Sequence, residues 1–89
     1  MVLTAILVYS TNLCADCARV KHLLSRFSAP YIEHNILLDE DAYDDLLRLS
    51  PSGPRVPTLI MPDGTMLIEP DNATLYACLA GNGNLPELD

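Results

Sequence analysis

The pattern of hydrophobic and polar positions predicts a strand, a helix and a second strand in the first part of the chain. An almost unbroken apolar run over Leu3–Tyr9, ending in polar Ser10, is typical of a strand buried on both faces. Over Cys14–Phe27 apolar residues recur at spacings of three and four, which indicates an amphipathic helix that Pro30 ends. Partial alternation over Tyr31–Leu37 then predicts the second strand.

The second half of the chain predicts a helix, a hairpin and a last helix. The acidic residues Asp39–Asp41 favour the start of a helix over residues 40–49, since acids in a first turn complement the helix dipole. The turn Pro62–Thr65 contains Asp-Gly and separates the predicted strands 58–61 and 66–69. Asp71 or Asn72 can cap a final helix that ends at Gly81.

The order of these elements, βαβαββα, predicts an α/β fold with a mixed four-stranded sheet flanked by three helices. A helix between two strands implies a parallel pair with a right-handed crossover, and the closing hairpin adds antiparallel strands. We expect one domain over residues 1–80 and a flexible C-terminal tail over residues 81–89, which is rich in Gly and Asn.

Composition and charge narrow the class of protein. The 89 residues carry a formal net charge of −7, which argues against nucleic acid and anionic membranes as partners because both are polyanions. No apolar run approaches the roughly 20 residues that span a bilayer. Residues 1–10 lack the basic start of a signal peptide, and three cysteines are few for a secreted disulfide scaffold. We therefore expect a soluble protein of a reducing compartment, the cytoplasm. We also expect it to be a monomer.

The chemistry of the chain concentrates at Cys14-Ala15-Asp16-Cys17, where the first predicted strand leads into a helix. The unpaired N–H groups and the positive dipole end of that helix favour a thiolate at Cys14, although the carboxylate of Asp16 opposes it. Cys17 shares the apolar stripe with Val20 and Leu24, so we expect it to be partly buried. An exposed Cys14 would attack a disulfide, and Cys17 would resolve the mixed disulfide.

Other uses of these residues are less well supported by the sequence. A structural zinc site needs four ligands, and the remaining Cys78, His22 and His34 form no second paired motif, so we predict no metal site. A purely structural cysteine pair is the other alternative. Cys78 lies on the apolar stripe of the last helix and reads as a packing residue. Arg19 and Lys21 are expected on a solvated helix face.

Two sequence motifs, in the same order and at similar spacing, resemble those of glutaredoxins. Tyr9–Cys17 resembles the strand end and active-site loop of that family, and Val56-Pro57-Thr58 resembles its second signature. Asp63-Gly64 matches the hairpin turn that follows, so the resemblance covers about residues 4–80. It implies a thioredoxin fold in which Pro57 is cis and faces the cysteines. It also implies that the backbone of Val56 pairs with an extended thiol substrate.

Several residues depart from the family pattern at positions that bear on which small thiol the protein uses. Thr11, Ala15 and Asp16 stand where glutathione-using members commonly carry a lysine and an aromatic residue, and Glu69–Asn72 replaces a double glycine followed by an acid. The chain looks closer to the mycoredoxin-like branch of bacteria. Glutathione, mycothiol and bacillithiol all remain open as the small thiol.

The residues and the resemblance together imply a thiol–disulfide oxidoreductase that reduces protein disulfides or mixed disulfides between proteins and a small thiol. The small thiol would act as co-substrate, and no organic cofactor or metal is required. The residues assigned to catalysis are Cys14 and Cys17, and those assigned to substrate binding are Val56, Pro57, Thr11, Arg55 and Asp71. Two alternatives are an iron–sulfur carrier, with Cys14 of two chains and two external thiols as ligands, and a dedicated electron donor to one reductase.

Overall fold

A computed structural model describes residues 5–81 and contains the seven elements in the predicted order. The elements are β1 (Ile6–Ser10), α1 (Ala15–Arg26), β2 (Tyr31–Asn35), α2 (Glu40–Leu49), β3 (Thr58–Ile60), β4 (Met66–Ile68) and α3 (Asn72–Gly81). The first two residues of the predicted strand 3–9 and residues 82–89 of the predicted tail lie outside the described residues. Gly81, assigned to that tail from the sequence, is the last residue of α3.

The four strands form one mixed sheet in the order β2-β1-β3-β4. β1 pairs in parallel with β2, with Ile6 opposite Tyr31 and Ser10 opposite Asn35. β3 pairs antiparallel with both β1 and β4. The central position of β1 explains its apolar sequence, because a helix layer covers each of its faces.

The two faces of the sheet carry separate apolar clusters. On one face α1 and α3 pack against the sheet, and the buried residues there are Ile6, Val8, Val20, Leu24, Ala29, Leu59, Met61, Leu75 and Leu79. On the other face Ala42 and Leu46 of α2 pack with Tyr9 of β1. The helices therefore lie two on one side of the sheet and one on the other. No helix in residues 5–81 is long and apolar enough to cross a membrane.

Local hydrogen bonds account for several element boundaries. The carboxylate of Asp39 accepts the backbone N–H of Asp41 at 3.0 Å and thereby caps the start of α2. β2 ends at Asn35 rather than at the predicted residue 37, because the Asn35 side chain accepts the N–H of Leu37 at 2.9 Å and turns the chain. Gly64 adopts a positive φ of 94° in the predicted hairpin turn.

Candidate active site

Cys14 lies between the end of β1 and the start of α1, as the sequence predicts. It is the N-cap residue of α1, in extended conformation, and its Sγ accepts the backbone N–H of Cys17 at 3.0 Å. Cys14 is half-buried, whereas Cys17 is fully buried one turn later. Both residues are thiols with no disulfide between them. Cys14 is the more accessible of the two, as predicted, but both residues are more buried than the exposed Cys14 and partly buried Cys17 that the sequence predicts.

The Cys14 sulfur contacts two backbone groups, one from each of the two sequence motifs. The Cys14 Sγ donates a long hydrogen bond to the backbone carbonyl oxygen of Val56, with 3.9 Å between sulfur and oxygen. The same sulfur accepts the N–H of Cys17 at the N-terminus of α1, where the helix dipole is positive. This arrangement is the one expected for a nucleophilic cysteine at a helix N-terminus.

Cys17 is held in its protonated form. Burial and, next, a hydrogen bond with Cys14 raise the pKa of the Cys17 thiol to about 12. The backbone N–H of Thr11 and the positive charge of Lys21 act in the opposite direction and favour the thiolate. Because the thiolate is the nucleophilic form of cysteine, burial of Cys17 disfavours its attack on another sulfur.

The loop before β3 brings the second signature to the cysteines. The Val56–Pro57 peptide bond is cis, as the resemblance implies, and Pro57 is buried. Two hydrogen bonds hold the loop: the side-chain hydroxyl of Thr58 donates to the carbonyl of Arg55 at 2.6 Å, and the backbone N–H of Glu69 donates to the carbonyl of Pro57 at 2.8 Å. The carbonyl of Val56 consequently lies against the Cys14 sulfur.

The three weaker substrate-binding candidates occupy different settings. Thr11 is half-buried, and its backbone faces Cys17. Arg55 is exposed, and its guanidinium lies 3.4 Å from the carboxylate of Glu69. Asp71 caps α3 by accepting the N–H of Thr74 at 2.7 Å, and these hydrogen bonds lower the pKa of its carboxyl. Thr11 thus adjoins Cys17, whereas Asp71 already has a structural partner.

Arg19 links two helices, contrary to the solvated position expected from the sequence. Its guanidinium donates to the side-chain oxygen of Asn72 at 2.6 Å and to the carbonyl of Pro70 at 2.9 Å. It also lies 3.4 Å from the carboxylate of Asp16, which gives that acid a countercharge beside Cys14. Partners about fifty residues away in the chain leave no sequence signal for this role.

Lys21 likewise has a partner on another element. Its Nζ lies 2.7 Å from a carboxylate oxygen of Glu33 on β2, and the same oxygen accepts the hydroxyl of the buried Ser10 at 2.6 Å. The hydrogen bond between them raises the pKa of Lys21 and lowers that of Glu33. The helical pattern placed Lys21 correctly on α1 but gave no indication of the acid opposite it.

The remaining candidate residues, Cys78, His22 and His34, do not form a second functional site. Within residues 5–81, no group of three or more His, Cys, Asp and Glu side chains is placed to hold a metal ion. Cys78 is half-buried against the core, as predicted for a packing residue. The ring of His34 stacks on Tyr9 with 5.3 Å between centroids, and His22 is exposed.

Comparison with known proteins identifies the family. The sequence profile described as Glutaredoxin matches residues 6–66, more than half of the chain, and this region contains both cysteines and the Val56–Pro57 pair. The chain belongs to the glutaredoxin family. That membership supports thiol–disulfide oxidoreductase chemistry of the family's general kind. No curated protein sequence shows significant similarity to the chain.

Solved structures share the fold. A single-residue variant of the thioredoxin-like protein BC3987 superposes with a TM-score of 0.76 at 26% identity, covering 88% of this chain and 97% of that one. A buckwheat glutaredoxin–glutathione complex superposes with a TM-score of 0.67 at 20% identity, covering 93% of this chain and 83% of that one. The holo form of glutaredoxin C1 from Populus tremula x tremuloides superposes with a TM-score of 0.63 at 22% identity, covering 89% of this chain and 77% of that one. The chain thus has the predicted thioredoxin-like fold.

Proposed function

We propose that the chain reduces protein disulfides, or mixed disulfides between proteins and a small thiol, through Cys14 and Cys17. The observation that carries this proposal is the position of Cys14 as the N-cap of α1. There its sulfur accepts the N–H of Cys17 at 3.0 Å, while the second sulfur is fully buried one turn later. This asymmetry suits an attacking thiol followed by a resolving thiol.

The reaction proceeds in two exchanges that balance in atoms and electrons. The Cys14 thiolate attacks one sulfur of the substrate disulfide, and the other substrate sulfur leaves as a thiolate that takes up a proton. Cys17 then loses its proton and attacks the Cys14 sulfur, so the Cys14–Cys17 disulfide forms as the second substrate thiol leaves. The substrate gains two electrons and the protein loses two. Two molecules of a small thiol return the protein to its dithiol form.

Substrate orientation rests on the loop before β3. The carbonyl of Val56 faces the Cys14 sulfur, so an extended chain that carries the target sulfur can lie along Val56 and Pro57. Thr11 adjoins the Cys17 sulfur. We assign Arg55 to a carboxylate of the small thiol, because it is 57% exposed and its pair with Glu69, at 3.4 Å, is one that solvent weakens. Arg19 and Lys21 already hold closer partners.

Single-turnover assays on two substrates test this proposal. The reduced protein is mixed with a small protein disulfide, or with a peptide carrying glutathione, mycothiol or bacillithiol on one cysteine, the matching free thiol being added in the second case. We expect Cys14→Ser to abolish both reactions. Cys17→Ser should abolish reduction of the protein disulfide only, since a free small thiol can replace Cys17 as the second nucleophile. Cys78→Ser is the control and should match wild type. Full activity of Cys14→Ser would overturn the proposal.

A further inference from the structure

The resolving step requires a buried thiol to ionise. Cys17 is 0% exposed, and water therefore contributes little to stabilising its thiolate. A charge on the protein that faces this sulfur changes the fraction of thiolate directly, and with it the rate of attack on the Cys14 mixed disulfide. The residues around Cys17 contain such a charge.

The charge belongs to Lys21, which lies four residues after Cys17 on α1. Residues at this spacing occupy the same face of a helix, with roughly 5–6 Å between their Cβ atoms. The Lys21 ammonium is held at 2.7 Å by Glu33 of β2, and Glu33 is held in turn by the hydroxyl of Ser10 at 2.6 Å. Ser10 is fully buried and directly precedes Thr11, whose backbone faces the Cys17 sulfur.

We propose that Lys21 is a positioning residue for the resolving step, in which its ammonium stabilises the Cys17 thiolate while Glu33 and Ser10 hold that ammonium in place. The inference rests on the proposed function. In the step itself Cys17 gives its proton to water, the thiolate attacks the Cys14 sulfur, and the bond between Cys14 and the substrate sulfur breaks. The leaving thiolate takes up a proton.

The neighbouring charges support this assignment. Among the ionisable groups of residues 5–81, Cys14 disfavours the Cys17 thiolate and Lys21 favours it. Lys21 interacts in turn with Glu33, Tyr31 and Cys17. Glu33 offsets part of the ammonium's field, but its hydrogen bond also raises the pKa of Lys21 and so favours the charged form.

The resolving step can be followed with a disulfide reagent that releases a coloured aromatic thiol. All proteins carry Cys78→Ser, and reaction at Cys14 releases a first coloured thiol. Attack by Cys17 releases the second, whose rate is measured by stopped flow as a function of pH. The test variant is Lys21→Met, with Lys21→Gln as a second neutral replacement. The matched controls are Lys21→Arg, which retains the charge, and Arg26→Met, which removes an exposed charge from the last turn of the same helix.

We expect both neutral Lys21 variants to release the second thiol about tenfold more slowly near neutral pH, with the pH profile shifted up by about one unit. Lys21→Arg and Arg26→Met should follow the wild-type profile. A loss of stability alone would not move the pH profile, and thermal unfolding of each variant shows whether it is folded at the assay temperature. A wild-type profile for the neutral Lys21 variants would overturn the inference. Second-phase release that persists in Cys17→Ser would instead overturn the proposed function.

Discussion

Replacing Arg19 with methionine removes the guanidinium that joins α1 to the start of α3 while keeping an apolar stem of similar length. The change deletes a 2.6 Å hydrogen bond to Asn72 and a 2.9 Å hydrogen bond to the carbonyl of Pro70. It also deletes the 3.4 Å pair with Asp16. We expect the protein to remain folded but to lose a measurable part of its stability.

The size of this loss follows from the exposure of the groups. Hydrogen bonds to charged groups contribute about 1.5–3 kcal/mol in buried settings. The Arg19 side chain is 31% exposed, which reduces each of the two short bonds to about 1 kcal/mol. The pair with Asp16, whose side chain is 61% exposed, adds at most about 0.5 kcal/mol. The sum is about 2 kcal/mol, which lowers the melting temperature of a domain of this size by about 10 °C.

Urea unfolding of Arg19→Met, Arg26→Met and wild type measures this loss. Arg26 lies on the same helix and is exposed, so its replacement should change the free energy of unfolding by no more than about 0.5 kcal/mol. The slope against urea should be the same in all three proteins. A double-mutant cycle with Asn72→Ala should give a coupling energy of about 1 kcal/mol. Equal stabilities of the two arginine variants would refute the reasoning.

Two further predictions concern the core and the ion pair behind the site. Leu24→Ala, at a fully buried position in the α1 stripe, should cost about 3 kcal/mol in urea unfolding, whereas Leu13→Ala, at a residue 93% exposed, should stay within about 0.5 kcal/mol of wild type. Equal costs would contradict the assigned packing. The pKa of Glu33 is lower in the folded protein than in the unfolded chain. Glu33 therefore stabilises the fold at pH values above its unfolded pKa, and this stabilisation is lost as the pH falls through its folded pKa. The stability difference between wild type and Glu33→Gln should therefore shrink below about pH 4.5, and a difference that stays constant from pH 7 to pH 3 would contradict this assignment.

Local patterns were sufficient to predict much of the fold. Apolar residues recur at spacings of three and four along α1. This local pattern is enough to predict that Cys17 and Leu24 lie on the helix face that packs against the sheet. The acids before α2 and the Asp-Gly turn are also local signals, and both occur where they were expected. The end of β2 was misplaced by two residues, since the Asn35 side chain turns the chain despite the apolar residues that follow.

Contacts between distant elements could not be predicted in this way. Arg19 and Lys21 occupy polar positions of an amphipathic helix, and such positions normally face water. Their partners, Asn72 and Glu33, belong to elements whose distance from α1 is set by the packing of the whole domain. The cis bond before Pro57 could be predicted only from the family resemblance, because the sequence Val-Pro alone is compatible with either isomer.

The most direct test of the central claim is to trap the covalent intermediate of disulfide exchange and to locate it by mass spectrometry. Reduced wild type, Cys14→Ser and Cys17→Ser are each mixed with a small protein disulfide, quenched with acid and digested without reductant. We predict that Cys17→Ser accumulates the substrate bound through Cys14, that wild type ends with a Cys14–Cys17 disulfide, and that Cys14→Ser forms neither product. An adduct formed equally well by Cys14→Ser, through Cys17 or Cys78, would contradict the assignment of Cys14 as the nucleophile.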